Sequence, residues 1–223
     1  MLGLRVLSCS LLLAGGAAPQ APGSSAIEAS FKPGETCAWV FESAGKRIGQ
    51  QSSRFVGPET LDGRRSEHFQ GSLRLELPGI GATQLSLADL WTDGDGHPLR
   101  YVQEFLVGTA YSRVEIQCAG KSSNARVAQG SSVREIPLDV EPAAFLLANN
   151  FISQLELYLV LQAHGQEAKA RFLSATTLQG FDYSIREQGG FYQDSLGERL
   201  RMSEGRLAEV DIPAAKLRIT RSQ

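Results

Sequence analysis

Alternation of apolar and polar residues decides the fold, and it is clearest in Leu73-Arg74-Leu75-Glu76-Leu77, which Pro78-Gly79 ends. Leu85-Ser86-Leu87 repeats the pattern, and longer β-rich runs cover 99–107 and 111–118. Polar side chains at every second position are typical of an antiparallel sheet with one solvent-exposed face. Turn signals rich in glycine separate the runs, so the sequence predicts a meander of long hairpins.

One segment departs from this period. Glu141-Pro142-Ala143-Ala144 favours a helix start, since proline suits the first turn and an acid suits the positive end of the helix dipole. Apolar residues then recur at helical spacing, at Ala144, Ala148, Phe151, Leu155 and Leu159. We therefore expect a helix over about 142–163. Leucines also alternate over 155–161, so a strand there stays open.

Composition is that of a folded domain. The 223 residues are 42% hydrophobic and 21% charged, with a net charge of -2, which excludes a disordered chain. A pI near 6.0 gives no electrostatic reason to expect nucleic acid as a partner. The predicted fold class is mainly β (β-rich α+β). We expect a single domain over 35–221: a long curved antiparallel sheet or half-barrel, with one central helix packed on its concave side.

The N-terminal segment has the pattern of an export signal. Arg5 precedes a short apolar run from Val6 to Ala14, and small residues follow it. We predict a signal peptide at 1–18 and a flexible tail at 19–34, which would place the protein in the periplasm or outside the cell. A lipid anchor at Cys9 and a buried N-terminal helix are the alternatives. Removing the signal leaves Cys37 and Cys118 as a disulfide candidate or as two separate buried thiols.

Two segments resemble each other weakly. Residues 90–100 and 191–201 each have an aromatic residue, then Asp, then Gly, then Leu-Arg. Asp closes a turn with its side chain and Gly accepts a positive φ, so each segment predicts a tight hairpin. The match is too short to establish an internal duplication.

Four features together resemble a broad group of small secreted bacterial proteins. They are Lys46-Arg47-Ile48-Gly49, the Trp91-x-Asp93-x-x-Gly96 hairpin, Asn149-Asn150, and a closing Asp-x-x-Gly hairpin before an arginine-rich last strand. The group is similar to the lipoprotein-carrier fold of the bacterial envelope. That resemblance, over about 35–221, implies a curved sheet with helices on its concave side. Carriers of that fold hold acyl chains there, which makes a lipid a possible partner.

Motifs for catalysis are missing from the sequence. His68, His97 and His164 lie far apart and have no accompanying nucleophile motif. Asp93-Gly94-Asp95-Gly96 resembles a calcium loop, but the fifth position is His97, so a plain hairpin turn is favoured. We assign no catalytic residue, no metal site and no cofactor.

The aromatic residues are the remaining candidates for a site. On a sheet they are either core, or the lining of an apolar groove, which is the usual geometry of a ligand site. The candidate ligand-binding residues are Trp39, Phe41, Phe55, Phe69, Trp91, Tyr101, Phe105 and Phe151.

The sequence therefore favours a non-catalytic envelope protein that binds an apolar or amphipathic ligand on a concave sheet face. Two alternatives remain open. One is a module that binds a protein partner during envelope assembly, and the other is an enzyme acting on a small envelope metabolite.

Overall fold

A computed structural model describes residues 25–77, 79–118, 123–139, 144–148, 151–162 and 165–222. The predicted signal peptide at 1–18, Asn149-Asn150 and His164 lie outside the described residues. No helix in the described part of the chain has the length and apolar character to cross a membrane.

Fifteen strands and two α-helices make up the described structure. The helices are α1 (Ala26–Ser30) and α2 (Ile152–Gln162), and a 3-10 turn covers Pro213–Ala215. The strands are β1 (Thr36–Ser43), β2 (Lys46–Leu61), β3 (Arg64–Leu77), β4 (Ala82–Thr92), β5 (Pro98–Val107), β6 (Ala110–Gln117), β7 (Ser123–Gln129), β8 (Ser132–Leu138), β9 (Phe145–Leu147), β10 (Glu167–Ser174), β11 (Gly180–Gln188), β12 (Phe191–Asp194), β13 (Arg199–Ser203), β14 (Arg206–Ile212) and β15 (Leu217–Ser222).

All fifteen strands form one sheet, in the order β8-β7-β6-β5-β4-β3-β2-β1-β15-β14-β13-β12-β11-β10-β9. The first and last strands, β1 and β15, pair antiparallel in the middle of the sheet, with Phe41 opposite Ile219. Every pairing is antiparallel except that of β9 with β10. The predicted class is therefore confirmed: a mainly β protein built on one large curved antiparallel sheet with a central helix.

The connection from β8 to β9 requires the sheet to curl. These strands are its opposite edges, yet only residues 139–144 join them. Six residues reach at most about 24 Å, whereas fifteen flat strands would span roughly 65 Å. The chain therefore brings the two edges towards each other and gives the sheet a concave face.

Helix α2 fills much of that concave face. Seven of its eleven residues are buried, among them Leu155, Leu159 and Tyr158. Tyr158 packs edge-on against Phe145, Phe172 and Tyr183 at ring distances of 5.0–5.6 Å. The helix is apolar nearly all round because strands from both halves of the sheet surround it.

A buried glutamine of β2 holds the start of this helix. The Gln51 side-chain oxygen accepts a hydrogen bond from the Ile152 backbone N–H at 2.9 Å. Its amide donates to the hydroxyls of Ser53 at 2.9 Å and Ser153 at 3.2 Å. The first N–H groups of a helix have no partner within the helix, so Gln51 supplies one across the core.

A buried acid fixes the helix to the central strands. Glu156 is 1% exposed, and its Oε1 lies 2.6 Å from Nη1 of Arg221 and 3.6 Å from Nη1 of Arg206. Arg206 also pairs with Glu35, and its guanidinium stacks over Phe31. Burial raises the pKa of Glu156, while Arg221 opposes that shift.

The predicted helix over about 142–163 is shorter in the structure. Phe145–Leu147 forms β9, which pairs parallel with β10 in the register Phe145 to Phe172, and the helix begins at Ile152. Ala144 and Ala148 are buried beside this strand, so their spacing fitted a helical stripe equally well. Pairing with β10, a long-range contact, makes this segment a strand and not the start of the helix.

Part of the predicted flexible tail is ordered. Ser25 caps α1 through a capping box with Glu28, and Ile27 and Phe31 are buried in the core. Phe31 lies edge-on to Phe55 and Phe69. Residues 25–31 thus cover one end of the sheet, and burial of two large apolar side chains explains why.

The disulfide considered from the sequence is not formed. Cys37 and Cys118 are free thiols, both partly buried. Four strands separate β1 from β6 in the sheet, whereas a disulfide needs Cα atoms within about 7 Å. Burial raises the pKa of Cys37, and raises that of Cys118 to about 11.

Candidate functional site

The described residues form at least three cavities that are large enough to hold a small ligand. Two lie on the concave face, and we call them the mouth cavity and the helix cavity. The third, the outer groove, crosses strands β1–β6 on the convex face and has a volume near 590 Å³. Ligand sites in proteins usually have volumes of roughly 300–1,000 Å³.

The mouth cavity has a volume near 440 Å³ and lies beyond the part of the concave face that α2 covers. Its floor is apolar, because β5–β8 turn Phe105, Val114, Val127 and Ile136 inward. The polar groups on its lining include Gln84, Gln103 and the exposed Arg134. The turn at 175–178 forms the opposite wall.

The helix cavity, near 300 Å³, lies between α2 and strands β9–β11, β14 and β15. Thr176 lines both this cavity and the mouth cavity, so the two adjoin at the β10–β11 turn. The lining is almost entirely apolar; it consists of Leu147, Ala148, Phe151, Ile152, Leu155, Ser174, Thr176, Phe181, Tyr183, Leu196, Glu198, Ile212 and Ile219.

Glu198 is the charged residue of the helix cavity. Burial raises the pKa of its carboxyl to about 7, and the neighbouring carboxylate of Asp194 adds to the shift. Asp194 is itself held by the Tyr183 hydroxyl, which donates to Oδ2 at 2.9 Å. Among the described residues the Glu198 carboxyl has no hydrogen bond or ion pair. A half-buried carboxyl with a raised pKa in a cleft marks a candidate functional site.

The turn that carries Glu198 has a counterpart in the first half of the sheet. Asp194 Oδ1 accepts from the backbone N–H groups of Leu196 and Glu198, at 3.0 and 2.7 Å. Asp93 Oδ1 accepts in the same way from Asp95 and His97, at 3.0 and 2.9 Å. The sequence similarity between these segments is therefore a shared turn geometry, and Glu198 occupies the position of His97.

The outer groove contains apolar side chains that the alternation did not place there. In β4 Ser86 is 3% exposed, whereas Leu85 and Leu87 are 45% and 60% exposed. One cross-strand row across the groove runs Val40, Gln50, Arg74, Leu85, Leu106 and Tyr111. The alternation is real, but its apolar residues face outward in this part of β4. Clustered exposed leucines are typical of an interaction surface.

The predicted ligand-binding residues do not come together in one site. Phe105 lines the mouth cavity and the outer groove, and Phe151 lines the helix cavity. Trp91 lies on the convex face, stacked on His68. The others pack in the core, where their side chains are buried or half-buried: Trp39, Phe41, Phe55, Phe69 and Tyr101. Glu198 was not among the predicted site residues, and its place in the repeated turn is the one feature of the sequence that pointed to it.

His68 is held between two carboxylates. Its Nδ1 lies 3.0 Å from Glu59 Oε1 and its Nε2 lies 2.9 Å from Asp89 Oδ1. The Trp91 ring stacks on it at 4.4 Å and donates its indole N–H to Glu59. Both bonds lower the pKa of Glu59. Each ring nitrogen is thus engaged, as is usual for a structural histidine.

Asp93, Asp95 and His97 bring their potential ligand atoms within 4.8 Å of one another. Asp93 uses both oxygens within the turn, since Oδ2 also lies 3.2 Å from Nδ1 of His97. This pairing lowers the pKa of Asp93, against the effect of burial, and raises that of His97. The geometry is that of the hairpin turn expected from the sequence.

Comparison with known proteins gives information on the fold and none on the function. A β-barrel-like protein of domain of unknown function DUF1849 from Brucella abortus is similar, with a TM-score of 0.50 and 7% identity, over 84% of this chain and 94% of that one. A DUF1089 family protein from Pseudomonas aeruginosa gives a TM-score of 0.48 and 15% identity, over 74% and 90% of the two chains. No family model and no curated protein matches the chain. The likeness to the Brucella abortus protein shows a β-barrel-like fold, and the resemblance to lipoprotein carriers stays a prediction.

Proposed function

We propose that this protein is a non-catalytic binding protein, exported to the periplasm or beyond, that holds an apolar or amphipathic ligand on its concave face. The mouth cavity carries this proposal. It is a space near 440 Å³ with an apolar floor and Arg134 on its lining, and the helix leaves it uncovered. An acyl chain would lie against Phe105, Val127 and Ile136, and an anionic head group would lie near Arg134.

The side chains that line the mouth cavity indicate which kind of ligand it would bind. Apolar side chains give affinity in proportion to the area they remove from water, and they do so without directional contacts. Polar groups on the lining, among them Gln84, Gln103 and Arg134, would orient a ligand that has one polar end. The leader pattern at 1–18 supports export, and a secreted reporter fusion with and without these residues tests it.

A matched pair of variants tests the binding site. Val127 faces the mouth cavity, and its neighbour Ala128 faces the other side of β7. We expect Val127→Trp to fill the cavity and weaken binding of a fluorescent fatty acid about tenfold or more, with Ala128→Trp as the control. Lipid mass spectrometry of the purified protein is the companion measurement. An empty wild-type protein that takes up no fatty acid would refute the proposal.

The outer groove favours a second function, binding of a partner protein. Leu85, Leu87 and Tyr111 are each at least 45% exposed, and Arg74 lies beside them on the same face. Such a surface suits a partner segment with apolar side chains and an acidic group. A photoreactive residue at 87, with one at the exposed position 126 as control, tests this. The expected adduct forms only at 87 and is lost in Arg74→Glu.

A further inference from the structure

The helix cavity combines an apolar wall with uncompensated negative charge. Glu198 lines it without a hydrogen-bond or ion-pair partner among the described residues, and Asp194 lies close enough to raise the pKa of Glu198. None of the residues that line the cavity is Lys, Arg or His. A cation entering this space would meet a carboxylate that nothing else neutralises.

The groups that face Glu198 come from few elements. Asp194, at the end of β12, and the Tyr183 hydroxyl, on β11, are the titratable ones. Helix α2 contributes Ile152 and Leu155, while the other strands of the cavity contribute apolar or hydroxyl side chains. The local potential is therefore negative, which favours a cationic head group and disfavours a carboxylate or phosphate.

We propose that the helix cavity binds an amphiphile with a primary amine head group, the ammonium against Glu198 and a short apolar body between Phe151, Leu155 and Phe181. This inference rests on the proposed function, since it names the ligand class of one part of the concave face. The volume near 300 Å³ suits a small ligand. Phe181 and Leu155 bury the chain, and the ammonium donates to the Glu198 carboxylate.

Binding at this site depends on pH. The pKa of Glu198 is about 7, so its carboxyl is mainly neutral at pH 5.5 and mainly charged at pH 8.0. An alkylamine, like a lysine side chain, stays a cation over this range. Affinity for an amine therefore rises with pH across neutrality, whereas affinity for an alcohol of the same length stays constant.

Calorimetric titration with hexylamine, 1-hexanol and hexanoate at pH 5.5 and 8.0 tests the inference. We expect hexylamine to bind the wild-type protein about tenfold or more tightly at pH 8.0 than at pH 5.5. Glu198→Gln, which keeps the side-chain shape, should abolish this difference and leave hexanol binding unchanged. Glu187→Gln, on an exposed position of β11, is the control and should behave as the wild type.

The outcomes separate this inference from the proposed function. Equal binding of hexylamine and hexanol, unaffected by Glu198→Gln, would overturn the amine assignment and leave apolar binding in place. Binding of neither probe to the folded protein would overturn the inference, while fatty-acid uptake in the mouth cavity is measured independently with Val127→Trp. Tighter binding of hexanoate than of hexylamine at pH 8.0 would also overturn it.

Discussion

At the scale of single residues, the raised pKa of Glu198 makes the free energy of unfolding depend on pH. Its pKa is near 7 in the folded protein, above the value of about 4.3 of a free glutamate. The folded state therefore holds this proton more tightly than the unfolded chain does, so the contribution of Glu198 to stability is largest below about pH 4.3 and is lost as the pH rises to 7. We expect Glu198→Gln to raise the free energy of unfolding at pH 8 by about 1–3 kcal/mol and to change little at pH 4.5. Urea titrations at both pH values measure this, and a variant no more stable than wild type at pH 8 would contradict it.

Arg221 offers a second test at this scale. Its removal leaves the carboxylate of Glu156 buried with only the more distant Arg206 to compensate it. We expect Arg221→Met to cost about 3 kcal/mol at pH 7.5, and less at pH 4.5, because burial raises the pKa of Glu156 and allows it to become neutral. Arg218→Met on the same strand is the control, since Arg218 is exposed and its loss should cost under about 1 kcal/mol. Equal losses for both variants would contradict the account.

At the scale of elements, the helix depends on a strand for its start. Gln51→Leu removes the acceptor of the Ile152 N–H and the donor to Ser53 and Ser153. We expect a loss of about 1–3 kcal/mol, together with faster amide exchange in the first turn of α2. Gln50→Leu, its neighbour on the outer face, should change stability by less than about 0.5 kcal/mol. Unchanged exchange in α2 for Gln51→Leu would show that the helix starts without this bond.

Strand β4 separates the features that local sequence predicts from those that depend on long-range pairing. The alternation at 73–77 and the turns at 93–96 and 194–197 are local, and the sequence predicts them. The side of the sheet that Leu85 and Leu87 face depends on pairing with β3 and β5, so the sequence could not assign it. The same limit applies to β9, whose partner β10 is distant, and to Glu198, which becomes a site residue only when α2 packs nearby.

The outward orientation of Leu87 can be tested by comparing its contribution to stability with that of Leu90. Leu87 is 60% exposed and Leu90 is 4% exposed on the same strand. We expect Leu90→Ala to destabilise the protein by about 2–5 kcal/mol and Leu87→Ala by less than about 1 kcal/mol. Chemical denaturation distinguishes the two. A large loss for Leu87→Ala would mean that the outer groove is covered in the folded protein.

At the scale of the whole molecule, one topological fact produces the concave face. The chain runs from the central strand β1 out to β8, crosses to the opposite edge, and returns from β9 to β15 beside β1. The short β8–β9 connection curls the sheet, and α2 fills part of the space enclosed. The mouth cavity and the helix cavity are two of the spaces that α2 leaves unfilled, and apolar side chains from the concave face form most of their linings.

Photo-crosslinking with a diazirine fatty acid, followed by peptide mass spectrometry, tests whether the concave face binds the ligand, because it reports which face of the sheet holds the acyl chain. We expect adducts on the inward residues of β6–β8, at Val114, Val127 and Ile136, and we expect them to disappear in Val127→Trp. Adducts confined to Leu85, Leu87 and Tyr111 on the convex face, or spread evenly over the surface, would contradict this expectation.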